Sequence, residues 1–205
     1  MNARATALEP TPQPRLDAAL LHGERPIELA ELRVFVEASG ALVVTTWELW
    51  FFNPNARELE GRLEFPLLAG QSVVRFAMDV NGRLREAVPV PKDKGRQVFE
   101  EVVRQRVDPA LLERTAGHGY RARVYPLVPG QLKRVVLAYQ EETSLRDGEP
   151  AYRLALDFPS LRRFSLELVL GANAGAPRVL EDTLGLGLPA WGDGREGREG
   201  REGRG

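Results

Sequence analysis

Residues 58–65 alternate without an error, with Leu59, Gly61, Leu63 and Phe65 set against Glu58, Glu60, Arg62 and Glu64. Successive side chains of an extended chain point to opposite faces, so this stretch suits a strand with one buried and one wet face. The same period returns along most of the chain. Leu32, Val34 and Val36 alternate up to a Ser39-Gly40 turn, and Leu42–Phe52 runs extended, rich in β-branched and aromatic residues. Within it Trp47, Leu49 and Phe51 share one face and Trp50 and Phe52 the other, so that strand is expected to be covered on both sides towards its end. Val74, Phe76, Met78 and Val80 lead into Asn81-Gly82, a dipeptide that tolerates positive φ and suits a tight hairpin. Leu84–Val90 returns, with Pro89 and Pro91 putting its far end on an edge or outside the sheet, because proline donates nothing to a ladder.

Downstream, Leu111 and Leu112 start a short strand interrupted by Gly117-His118-Gly119, and Tyr120, Ala122 and Val124 alternate with arginines. After a Pro129-Gly130 turn, Lys133, Val135, Leu137 and Tyr139 form the better core face of the next strand. Tyr152, Leu154, Leu156 and Phe158, then Phe164, Leu166, Leu168 and Leu170, read as two further strands separated by Pro159. Only one segment departs from period two. From Asp93 to Arg106, Val98, Phe99, Val102 and Val103 recur at one-, three- and four-residue steps, the stripe of a half-buried helix. Asp93 is its N-cap, and Asp108-Pro109 stops it. The expectation is a mainly β chain, an antiparallel β-sandwich of about ten strands with one inserted amphipathic α-helix over about 93–106.

The organisation follows from these patterns. Residues 1–25, with Pro10, Pro12 and Pro14, read as a flexible leader; 26–142 hold the sandwich domain; 143–192 supply additional strands packing on it or following it. Within the last of these, Leu184, Leu186 and Leu188 alternate with glycine as a weak edge strand. Residues 193–205 repeat Gly, Arg and Glu without proline, which implies disorder rather than a collagen-like helix.

Composition narrows function. With 28 basic and 29 acidic residues and neither sign concentrated, nucleic acid and acidic membranes are not favoured partners. The absence of cysteine excludes disulfides, cysteine-ligated zinc and thiol nucleophiles, and two histidines give no recognisable metal spacing. No apolar run spans a bilayer and no secretory signal is visible, so the chain as written is expected in the cytoplasm. No cofactor is expected, since there is no phosphate loop or dinucleotide fingerprint; no Gly-x-Ser-x-Gly elbow occurs either.

The candidate binding residues are Trp47, Trp50 and His118. Trp47, Trp50, Phe51 and Phe52 suit an aromatic platform for sugar or peptide, against which stands ordinary core packing. His118, between two glycines, suits a base or ligand, with Glu113 as the nearest acidic partner. Glu58, Glu60 and Glu64 lie along one strand face, where successive carboxylates stand about 7 Å apart in water and read as a solvated face. Lys92, Lys94 and Arg96 open the expected helix and read as charged surface rather than an anion site.

The order and spacing of several short motifs resemble the VIT domain, named for vault protein and inter-alpha-trypsin inhibitor. They are Phe52-Asn53, then Glu58-x-Glu60-x-x-x-Glu64-Phe65-Pro66-Leu67, Val74-x-Phe76 with Asn81-Gly82, a basic helix opening, Leu111-Leu112-Glu113, Val124-x-Pro126, and Pro129-Gly130 before Val135-x-x-x-Tyr139. The resemblance implies a mostly β module that sits directly before a von Willebrand A domain, in inhibitor heavy chains, a vault-associated polymerase and many bacterial surface or secreted proteins. It implies a non-catalytic protein-interaction or scaffold role, with a protein partner that includes the A domain itself. This chain carries no Asp-x-Ser-x-Ser metal motif of that neighbour. The alternative reading is a carbohydrate-binding sandwich using Trp47 or Trp50; a hydrolase using His118 and Glu113 stands behind it.

Overall fold

A computed structural model of the chain describes residues 13–86, 89–90, 112–115, 119–146, 149–158, 160–171, 177–180, 182 and 185–186. Thirteen strands run through them: β1 (Arg15–Ala18), β2 (Glu28–Ser39), β3 (Leu42–Phe52), β4 (Leu59–Phe65), β5 (Ser72–Val80), β6 (Arg83–Glu86), β7 (Pro89–Val90), β8 (Leu112–Arg114), β9 (Tyr120–Leu127), β10 (Leu132–Glu142), β11 (Ser144–Arg146), β12 (Glu149–Ala151) and β13 (Arg163–Leu170). One sheet has the order β1-β4-β9-β8-β7, the second β13-β2-β3-β10-β5-β6, and β11 and β12 form a separate hairpin. There is no helix among the described residues. The helix expected over 93–106, with its Lys92–Arg96 opening, lies outside them, as do His118, residues 1–12 and 193–205, and the Leu184 and Leu188 positions.

The two sheets share one core. Leu16, Leu59, Leu63, Phe65, Leu112, Val124 and Leu127 from the first meet Leu32, Val34, Leu49, Phe51, Phe76, Met78, Val135 and Leu137 from the second. Phe65 and Phe76 join them edge to face, ring centroids 5.7 Å apart. The alternating strands therefore orient as their sequences require, with Leu59, Gly61, Leu63 and Phe65 inward. Lys133 is also on the inner face, buried, its Nζ donating to the Tyr125 carbonyl oxygen at 3.1 Å.

Four expectations are corrected. The leader is ordered in part: β1 pairs antiparallel with β4, placing Leu16 opposite Leu63, and Leu16 is buried. The segment after it is tied down by a forked ion pair, Arg57 Nε and Nη2 donating to Glu24 Oε1 and Oε2 at 2.6 and 2.8 Å. A four-residue strand is too short to display a period, which hid it. Second, β5 carries a bulge: Ala138 pairs with Arg75 and Tyr139 with Val73, so Val74 is extra, turns outward and is exposed. Third, residues 152–158 form no strand; Tyr152, Leu154, Leu156 and Phe158 pack on the core without a ladder partner. Alternation reports burial of one face, not hydrogen bonding. Fourth, the sheets are mixed, since β13 pairs parallel with β2 and β7 parallel with β8.

Candidate interaction surface

Trp47 points into the core from β3. It is 5% exposed and packs edge-on between Tyr139 and Phe158, at centroid distances of 6.3 and 5.6 Å. It cannot serve as a sugar platform. Trp50, three residues on, lies on the opposite face and is half-buried, with the Arg33 and Arg134 guanidinium carbons 5.1 and 5.5 Å from its ring centroid. Arginines held over an aromatic ring are a favourable surface contact, and here they occupy the surface a sugar would stack on. His118 lies outside the described residues, so Glu113 has no observed acid-base partner there.

The acidic face of β4 is neutralised across the sheet. Glu64 accepts from Arg121 Nη2 at 3.0 Å, and Glu60 is paired with Arg123. Carboxylates held by guanidinium groups are poor candidates for a cation site, and among the described residues no group of acidic and histidine side chains is arranged to hold a metal.

A small pocket of about 90 Å³ opens beside Trp47, lined by Phe65, Leu67, Gln71, Leu137, Tyr139, Glu141 and Arg153 among others. The Trp47 indole nitrogen is buried there without a hydrogen-bond partner. Gln71 Nε2 donates to Glu141 Oε1 at 3.0 Å, and burial pushes the Glu141 carboxyl above its ordinary range. Burial likewise raises the phenols of Tyr139 and Tyr152, the latter sharing a 2.6 Å hydrogen bond with the Thr45 hydroxyl. Both tyrosines are therefore neutral, and among the described residues that line the cavity there is no nucleophile–base pair. Drug-sized ligands occupy sites of about 300 Å³ or more, well above this volume.

The sheet edges remain. Of the four end strands of the two large sheets, the described parts of β1, β6 and β7 hold four, four and two residues. The fourth, β13, has eight residues, contains no lysine or proline, and exposes every second side chain. Shortness, proline and charged side chains, lysine above all, are the usual means of keeping an edge from recruiting another strand, and of these β13 has only the exposed Arg163 and Glu167. The sequence does show an alternating strand here; that it ends a sheet depends on its parallel pairing with β2, which no local pattern records.

Fold and surface together define a two-sheet β module whose candidate polar groups are mostly engaged with one another. The chain belongs to the Vault protein inter-alpha-trypsin (VIT) domain family, whose model matches residues 29–139 of the 205. The match begins inside β2 and ends inside β10, so β1 and β13 lie outside it. No curated protein matches the sequence. A crystal structure of an M1 zinc metallopeptidase from Deinococcus radiodurans is similar at 16% identity over 76% of this chain, with a TM-score of 0.42. The chain spans 35% of that protein, and a likeness this slight bears on neither fold nor chemistry here.

Proposed function

We propose that this chain is a non-catalytic protein-interaction or scaffold module that takes an extended segment of a partner protein along the open edge of β13. Membership of the VIT family is consistent with an interaction module in general, and the A domain that the sequence resemblance implies beside such a module is a candidate partner. The observation that carries the reading is the contrast among the described edges of the two large sheets: β13 runs for eight residues with an apolar, half-buried core face, where the described parts of β1, β6 and β7 hold four, four and two. Strand addition draws affinity from main-chain hydrogen bonds and selectivity from alternate side chains, and requires no deep pocket.

The test is selection of extended peptides from a random library, followed by hydrogen exchange on the complexes. Bound peptides are expected to protect the amides of Phe164, Leu166 and Leu168 and to be recovered intact. Protection confined to other elements, or cleavage of the peptides, would overturn the proposal.

A further inference from the structure

We infer that the β13 edge is self-complementary and that two copies of this chain pair through it, antiparallel, about a two-fold axis at Ser165. The inference rests on the edge reading above and names its occupant.

The backbone sets which groups are available. The Gly171 N–H donates to the Ala38 carbonyl oxygen at 2.8 Å, closing the ladder between β13 and β2. Main-chain groups alternate in direction along a strand, so those of Ser165, Glu167 and Val169 also face β2. The N–H and C=O groups of Phe164, Leu166 and Leu168 then point to the open side, where no described strand pairs with them. An antiparallel copy centred on Ser165 places Phe164 opposite the second copy's Leu166 as a hydrogen-bonded pair, and Ser165 opposite itself as a close non-hydrogen-bonded pair.

The side chains select this register. Elsewhere in both sheets, arginine and glutamate on adjacent strands pair: Arg121 with Glu64, Arg123 with Glu60, Arg134 with Glu48 and Arg75 with Glu86. Arg163 and Glu167 are exposed on β13 and form no ion pair among the described residues, although Arg163 lies beside Glu31 in register. The Ser165-centred register sets each Arg163 against the other copy's Glu167, twice by symmetry. Opposite charges directly across a strand pair stabilise it. Phe164 and Leu166, both half-buried, meet on the core side and extend the apolar face across the junction. An isologous contact of this kind closes at two copies and leaves no free end.

Two measurements on the full chain test this. Sedimentation equilibrium should show a concentration-dependent mass of two chains. Arg163→Glu and Glu167→Arg should each weaken association by roughly tenfold, because each creates two like-charge contacts, and the double reversal should restore it. The chain contains no cysteine. Ser165→Cys should therefore give a covalent dimer under mild oxidation, the close pair being within disulfide reach, whereas Glu37→Cys on the neighbouring strand should not. A strictly monomeric chain, failure of the double reversal to restore association, or equal cross-linking of both cysteine variants would overturn self-pairing. A monomer whose β13 amides are still protected by a bound peptide would remove the second copy and leave the edge reading standing.

Discussion

The Asn53 side-chain amide donates to the Leu127 carbonyl oxygen at 2.8 Å, linking the end of β3 in one sheet to the end of β9 in the other across 74 residues of sequence. The same nitrogen donates to the Arg57 carbonyl at 2.9 Å, the side-chain oxygen accepts from the Asn55 N–H at 3.0 Å, and the Asn53 carbonyl accepts from the Gly130 N–H at 2.9 Å. Asn53 is buried, so its loss removes a donor from the Leu127 carbonyl inside the protein and a second from the Arg57 carbonyl nearer the surface. Asn53→Ala is expected to lower stability by about 2–4 kcal/mol. Asn53→Asp should cost at least as much, since a carboxylate offers only acceptors to two carbonyl oxygens. Urea unfolding checks both; a change under about 1 kcal/mol in Asn53→Ala would show that the corner is held by the backbone alone.

Trp47 and Trp50 stand on opposite faces of one strand, and truncating each should have unequal effects. Trp47→Ala empties a space between Tyr139 and Phe158 and is expected to cost about 3–5 kcal/mol. Trp50→Ala removes a surface ring held under Arg33 and Arg134 and is expected to cost under about 1 kcal/mol. Thermal unfolding of the two variants side by side measures the difference, and similar losses would place Trp50 in a structural role it does not have in this fold.

These residues also show what sequence can and cannot disclose. The faces of β3 and β4 were readable because alternation is local and each position depends only on which side is buried. Two of the motifs that carry the family resemblance, Asn53 and Pro129-Gly130, meet at the corner where the sheets join. The bulge at Val74 was hidden because it is a property of β5 and β10 together. Residues 152–158 mimic a strand because the core demands the same period from any extended chain laid on it. The tie of Arg57 to Glu24 and the pocket beside Trp47 depend on long-range packing and left no local trace.

Leu16 explains why an inward position of β4 is a glycine. A Cβ on Gly61 would lie 2.7 Å from Leu16 Cδ1 and 3.1 Å from Leu127 Cδ1. Gly61→Ala is expected to destabilise by about 1–3 kcal/mol through overpacking, with the loss falling first on β1, whose hold on the sheet is only four residues long. Removing the obstruction should rescue it: Leu16→Ala combined with Gly61→Ala is expected to lose less than the two single changes added together. Hydrogen exchange at Leu16 and Asp17, with urea unfolding of the double-mutant cycle, decides the matter, and strict additivity would show that β1 does not press on Gly61.

Glu141 should make stability fall as pH rises. Its carboxyl is half-buried beside the pocket, and desolvation raises its folded pKa while the hydrogen bond from Gln71 opposes the shift without cancelling it. The folded state therefore holds a proton that the unfolded chain has already released. Stability is greatest below the unfolded pKa, declines as pH passes up through the folded one, and remains lower at neutral pH. Glu141→Gln removes the charge yet keeps an oxygen to accept from Gln71. The variant is expected to melt above the parent at neutral pH, with the advantage shrinking to nothing below roughly pH 4, where the unfolded carboxyl is itself protonated. Calorimetric melting of both chains from roughly pH 3 to 8 reads this directly. An advantage that grows towards acid would mean that the charged carboxylate is stabilised in the fold, and that the pocket side of β10 is wetter than its packing implies.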